Sequence, residues 1–213
     1  MTEEDAKKQI ETLCDVSRET MDRLQVYADL LERWNSKINL VSKSTLSEKW
    51  QRHFLDSAQI WPHIPKEVKN LVDVGSGAGF AGLVLAIIGA EKRPNLTFTL
   101  IESDARKCAF MRNVAREVRI SVNVQTARIE SVADRNADIM TARALAPVVQ
   151  LLSYSQNILT STGVCLFLKG DACGTEVEQA RESWDFNAIE TASLTHPTGK
   201  ILTLSGINRV NKS

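Results

Sequence analysis

Leu71 to Gly82 reads LVDVGSGAGFAG. A short apolar run, Asn70 to Val74, ends in a loop with glycines at 75, 77, 79 and 82. Such a loop turns tightly and lets another group approach its backbone closely. The stretch that follows, FAGLVLAIIGAE, reads as a helix, so the loop joins a strand end to a helix start. In an open α/β sheet that is where ligands bind. The dinucleotide fingerprint G-x-G-x-x-G wants glycine where Phe80 stands. Asp73 precedes the loop, placed to accept hydrogen bonds from loop amides or from a ligand ammonium. A carboxylate there would repel a pyrophosphate. These two residues count against an NAD-dependent oxidoreductase.

Downstream, strand-like and helix-like runs alternate. LTFTLIES is a β-prone run closing on Glu102, and DARKCAFMRNVAREV is a basic helix with Asp104 as its expected N-cap. SVNVQTA, ADIMTAR and TGVCLFLKG read as strands, LAPVVQLLSYSQNIL and GTEVEQARESW as helices. Alternation of this kind implies βαβ units and a parallel sheet. Two last runs, near 188–194 and 200–205, have only a turn between them and predict an antiparallel edge hairpin. Upstream, Met21, Leu24, Tyr27, Leu31 and Trp34 recur at helical spacing, a face expected to be packed rather than functional. A second helix is expected from Thr45 to Ile60, with Ser44 or Thr45 as N-cap and Glu48 in a capping box. The prolines of WPHIPKEVKN mark a boundary. The expected fold is α/β, with helices on both faces of a mostly parallel sheet. An N-terminal helical extension (1–65) precedes the sheet domain (66–213).

Glu102 at the end of the next strand suits the two ribose hydroxyls of an adenosine, whether in NAD or in S-adenosylmethionine. After the third strand, the TARIE stretch puts Ile129 and Glu130 where an adenine would lie.

Composition narrows the function. The chain has 213 residues, 43% of them hydrophobic, and its 26 basic residues balance its 26 acidic ones. Zero net charge argues against a wholly basic nucleic-acid binder but leaves room for a local basic face. Cys14, Cys108, Cys165 and Cys173 form no C-x-x-C pair, so buried reduced thiols are expected, with no metal site. The N-terminus is polar and acidic, unlike a signal peptide, and no apolar run reaches membrane-spanning length. A soluble cytoplasmic protein, expected to be a monomer, follows.

The stretches DVGSGAGFAG, LIES, ARIE and TARALAP together resemble the seven-stranded, Rossmann-like class I methyltransferases. With RWNSKINLVS, RHFLDSAQI and FLKG they resemble, more narrowly, the bacterial 16S rRNA guanine-N7 methyltransferase family, RsmG or GidB. The matches run in order from about Trp34 to Gly170. Two features depart from the family pattern. Ala81 stands where a proline is usual, and the tail LTLSGINRVNKS lacks the usual basic last strand. The resemblance implies S-adenosylmethionine as cofactor, with Asp73, Gly75, Gly77, Phe80, Glu102, Ile129, Glu130 and Arg143 around it. It implies a guanosine N7 in the 530 loop of 16S rRNA, in the small ribosomal subunit, as acceptor. N7 carries a lone pair and no proton, so no catalytic base is nominated. Arg143 either orients the base or pairs with a carboxylate such as Asp73 or Asp138. Lys37, Lys43, Lys49 and Arg52 are the expected RNA contacts, interleaved with Trp34, Trp50 and Phe54; a second basic run spans Arg106 to Arg119. Trp34 and Phe54 are expected in the core. His53 is expected to bond Asp56 as a structural residue. The alternatives are a methyltransferase acting on another RNA or a small molecule, and an RNA-binding factor without turnover.

Overall fold

The computed structural model describes residues 1–133 and 136–210. The end of the expected second domain, 211–213, lies outside the described residues. Among the described residues, seven strands form one sheet: β1 (Asn70–Val74), β2 (Thr97–Glu102), β3 (Asn123–Thr126), β4 (Ala137–Arg143), β5 (Leu159–Lys169), β6 (Trp184–Ala192) and β7 (Lys200–Arg209). Their order is β3-β2-β1-β4-β5-β7-β6. The first five run parallel, and β7 is antiparallel to both β5 and β6. The sheet is therefore mostly parallel, with the expected antiparallel pair at one edge.

Successive strand residues feed two separate cores. Leu71, Phe98, Leu100, Ile139 and Leu166 face α5 (Gly82–Lys92) and α6 (Ala105–Glu117). Val72, Val74, Ile101, Met140 and Phe167 face α7 (Val148–Ile158) and α8 (Cys173–Arg181). Strands buried on both faces read as continuous apolar runs, as β1 does. Asp104 caps α6 as expected, accepting from the amides of Arg106 and Lys107.

The N-terminal helices α1 (Glu3–Cys14) and α2 (Arg18–Asn35) join the first core, where Leu24, Tyr27 and Leu31 pack with residues of α5 and α6. The single helix expected over 45–60 is broken. It starts earlier, as a short α3 (Lys43–Leu46) capped by Ser42, whose hydroxyl accepts from the Thr45 amide. A π-helical turn follows at Trp50–Leu55, then α4 (Asp56–Ala58). Neither Ser44 nor Thr45 is the cap, and no capping box with Glu48 forms there. π turns concentrate at functional sites, and this one carries Arg52 and His53 to the end of β4.

Candidate active site

The sheet order reverses beside β1, and the glycine loop leaves its carboxyl end there. The loop's conformation explains its composition. Gly75 has φ +62°, and a Cβ on it would meet Leu145 Cδ1 at 2.5 Å. Gly79 has φ +94° and packs against Leu83 and Tyr27. Both positions favour glycine for the same reason, a left-handed backbone, and at both a side chain already stands where a Cβ would go. The Phe80–Ala81 peptide, where proline is usual, is cis.

Asp73 lies beneath this loop. Its carboxylate accepts from the Thr141 hydroxyl at 2.7 Å and from the Gly82 amide at 3.3 Å. Burial pushes its pKa up to about 6, against the pull of those donors. Of the two roles expected for Asp73, the amide contact is present, and the side chain does not line the cavity above.

That cavity, about 550 Å³, is lined by Gly75, Gly77, Phe80, Glu102, Ile129, Glu130 and Arg143. Glu102 is 9% exposed. One carboxylate oxygen accepts from the Gly77 amide at 2.9 Å and the other from the Asp104 amide at 2.8 Å. It thus ties the end of β2 to the glycine loop. Glu130 accepts from the Tyr154 hydroxyl at 3.0 Å. A backbone hydrogen bond and Tyr154 hold its carboxyl below the usual range. Tyr154 and Leu145 also line this cavity; neither stood out in the sequence, where both read as part of an ordinary helix and its approach.

A second cavity of about 750 Å³ adjoins the first across the turn that follows β4, sharing Arg143, Ala144, Leu145 and Ala146 as a common wall. Arg52, Arg143, Lys169 and Lys200 are its cationic lining residues, and Asp56, Asp171 and Glu176 its anionic ones. The dividing turn is held from behind. Lys169 Nζ donates to the Ala146 carbonyl at 3.0 Å and pairs with Glu176 at 2.5 Å, and Glu176 accepts from the Val148 amide at 2.9 Å.

Arg143 is committed to neither Asp73 nor Asp138. Its guanidinium donates to Asp56 at 3.1 Å and to the Arg52 carbonyl at 3.0 Å, and lies 5.1 Å above the Phe80 ring. Asp138 instead accepts from the amides of Lys69 and Asn70. His53 does not bond Asp56 as expected, because the guanidinium stands between them: Arg143 Nη2 lies 3.1 Å from His53 Nδ1. Burial, then Arg143 and Arg52, push the His53 pKa down to about 3. His53 is therefore neutral. Its Nδ1 accepts from Arg143, which assigns the proton to Nε2, 3.0 Å from the Thr45 hydroxyl.

Asp73 and His53 oppose each other in pH. Folded Asp73 keeps its proton up to about pH 6, whereas an unfolded Asp releases it near 3.8. Its contribution to stability is therefore lost as pH rises through that window. Folded His53 stays neutral down to about 3, whereas an unfolded His protonates near 6.5. Its contribution is lost as pH falls through that window. Each slope is at most about 1.4 kcal/mol per pH unit, so between pH 4 and 6, roughly, the two cancel. His63 and the acids that their partners hold low, Glu91, Asp104 and Glu130, slope the same way as His53. The Asp73 slope is therefore read as a difference: adding Asp73→Asn to His53→Gln is expected to make urea midpoints fall more steeply as pH drops from 6 to 4. Equal slopes with and without Asp73→Asn would contradict the assignment of Asp73.

The expected RNA contacts divide. Lys37, Lys43 and Arg52 are exposed. Lys49 is not free: it pairs with Glu32 at 2.8 Å, with its side chain 11% exposed. Trp50 and Phe54 are buried and stack on each other at 4.6 Å, so neither offers a face to a base. Trp34 is half-buried against Phe110. In the second basic run, Arg106 and Arg116 pair with Asp104 and Glu117, and Arg112 donates to the Val124 carbonyl. All four cysteines are buried free thiols, and no metal-ligating cluster occurs among the described residues. No helix there is long and apolar enough to cross a membrane.

The family model for rRNA small subunit methyltransferase G (GidB) matches residues 20–204. Proteins named ribosomal RNA small subunit methyltransferase G are 46% identical in a Ruegeria species, over 92% of this chain and 95% of that one, and 48% identical in Paramagnetospirillum magneticum, over 93% and 94%. The crystal structure of cofactor-bound Rv0187 from MTB superposes with a TM-score of 0.57 over 96% of each chain, at 14% identity, and so speaks for the fold. With a matching model over most of its length and relatives this similar, the chain belongs to the rRNA small subunit methyltransferase G family.

Proposed function

We propose that this chain transfers a methyl group from S-adenosylmethionine to N7 of a guanosine in the 530 loop of 16S rRNA. The observation that carries the reading is the pair of adjoining cavities, one floored by the glycine loop and Glu102, the other lined by Arg52, Lys169 and Lys200 together with Asp56, Asp171 and Glu176, with the turn after β4 between them.

The first cavity fits the cofactor. Glu102 offers a buried carboxylate to a ribose diol, Ile129 and Glu130 stand at the place for an adenine edge, and the glycine loop permits close backbone approach. Asp73 supports that loop from below through the Gly82 amide. When bound, S-adenosylmethionine supplies an electrophilic methyl group. The chain's own residues then have an alignment task. Guanine N7 is a lone pair at neutral pH, so no proton has to leave, and the gain comes from holding acceptor and donor in line and away from water. A guanidinium placed on N7 would occupy the attacking lone pair, so Arg143 is useful at O6 or a phosphate. Asp56, His53 and the Arg52 carbonyl fix its direction. Lys37, Lys43 and Arg52 follow the RNA backbone, with Lys49 acting through its pair with Glu32. The extension (1–65) and the sheet domain (66–213) work as one body, and the protein acts as a monomer in the cytoplasm, where its ribosomal substrate is.

The test mixes protein, S-adenosylmethionine and small subunits from a strain lacking this gene, then maps modified nucleosides by mass spectrometry. A new 7-methylguanosine confined to the 530 loop is expected. A methyl group elsewhere in the RNA, or none despite cofactor binding, would overturn the acceptor assignment.

A further inference from the structure

Tyr27 belongs to α2, in the helical extension, yet it reaches the glycine loop. Its side chain is fully buried. The hydroxyl donates to the Ala78 carbonyl at 2.6 Å. The ring stacks on Phe80 at 5.4 Å with planes 18° apart, and meets Phe54 edge-on at 5.0 Å. A Cβ on Gly79 would lie 3.0 Å from the Tyr27 oxygen, so the loop's backbone runs directly against this side chain.

The consequence follows from one peptide plane. The Ala78–Gly79 unit has its carbonyl held by Tyr27 and its N–H held by the Ser76 carbonyl at 2.7 Å. Gly75, Gly77 and Gly79 all take positive φ, and glycine-rich backbone has many other conformations open to it. A buried carbonyl deprived of its donor is costly, so the plane would turn to find another partner. Turning it moves Gly77 and Phe80 on either side, and both line the first cavity. Burial pushes the Tyr27 hydroxyl well above its ordinary value, so it remains a donor throughout the working pH range.

We propose that the helical extension sets the shape of the cofactor loop, with Tyr27 as the positioning residue that holds the Ala78–Gly79 peptide in its binding conformation. This rests on the reading of the first cavity as the S-adenosylmethionine site. The extension then serves the cofactor as well as the RNA, and the loop is organised before the ligand arrives, which lowers the entropy lost on binding.

The same helix supplies a control. Thr20 donates to Glu91 on α5 at 2.5 Å, a part-buried link between α2 and the sheet domain that Ser17 shares through its own bonds to Glu91, remote from the loop. Tyr27→Phe removes one hydroxyl and keeps the ring; Thr20→Val removes the Thr20 bond and leaves Ser17 on Glu91. Titration of S-adenosylmethionine into each variant and the unchanged protein gives dissociation constants, and thermal melting without ligand gives stability. Tyr27→Phe is expected to weaken cofactor binding roughly tenfold, as losing one buried hydrogen bond would, with the KM for small subunits unchanged. Thr20→Val is expected to melt lower and bind normally. Hydrogen exchange of the amides at 76–83 is the second readout, faster in Tyr27→Phe alone. Equal affinities in both variants, or equal exchange, would overturn the positioning role. Failure of the unchanged protein to bind S-adenosylmethionine would instead overturn the reading of the cavity.

Discussion

Glu102→Ala is expected to weaken S-adenosylmethionine binding by at least about a hundredfold, measured by calorimetry or by cofactor-dependent melting. Two losses combine. The carboxylate's two oxygens hold the amides of Gly77 and Asp104, at 2.9 and 2.8 Å. Alanine leaves both without their acceptor, and the glycine loop loses its tie to β2. In the proposed site the ribose would lose its charged acceptor as well. A hydrogen bond to a charged group contributes roughly 1.5–3 kcal/mol, and each 1.4 kcal/mol is about tenfold in affinity. Glu102→Gln separates the parts. A carboxamide has one acceptor oxygen and presents a donor at the other place, so it keeps one amide and faces the second with N–H against N–H. An intermediate loss, about tenfold, is expected there. Binding within threefold of normal in the alanine variant would remove Glu102 from the site and leave the loop held by other means.

The place of Glu102 at the end of β2 was readable in the sequence because its cause is local; that its two oxygens hold the amides of Gly77 and Asp104 was not. The Asp104 cap, the loop and the edge hairpin were readable for the same reason: each depends on neighbours a few residues away. The partners that escaped detection come from far along the chain. Arg143 pairs with Asp56, 87 residues upstream, although Asp73 and Asp138 looked equally good as carboxylates. Which of the three it meets depends on how the extension docks, and no periodicity encodes that. Tyr27 read as one more apolar position on a helix face, which its ring is; only the fold shows that its hydroxyl ends on Ala78. The break between α3 and the π turn is similar. Thr45 to Ile60 has no proline before Pro62 and no glycine, so nothing local announces it. The turn follows from packing Trp50, His53 and Phe54 inward while Arg52 stays outside.

Asp56→Asn is expected to have the second large effect, on both stability and turnover, because it releases Arg143. The two side chains are 19% and 18% exposed, so their charges are largely out of water. Removing one partner of a buried pair strands the other, at about 3–5 kcal/mol when burial is complete. Arg143 keeps the Arg52 carbonyl and His53, and some water reaches it, so a loss of roughly 2 kcal/mol is expected here. Asparagine retains an oxygen for Thr195 and Gln59, which also bond Asp56. The effect therefore isolates the charge, and Asp56→Ala should be worse by those lost contacts. Turnover falls for a different reason. Arg143 belongs to the wall between the two cavities, and a misplacement of about 1 Å in a group that orients a reactant can cost about a hundredfold in rate. Arg143→Ala in the Asp56→Asn background decides between the roles. If the pair only stabilises the fold, the double variant should regain part of the lost stability, and the single Asp56→Asn variant should turn over normally at a temperature where it is folded. If the pair aims the guanidinium at the acceptor, kcat/KM for small subunits stays down in both variants, whatever the melting point does, while cofactor affinity in the single variant changes little.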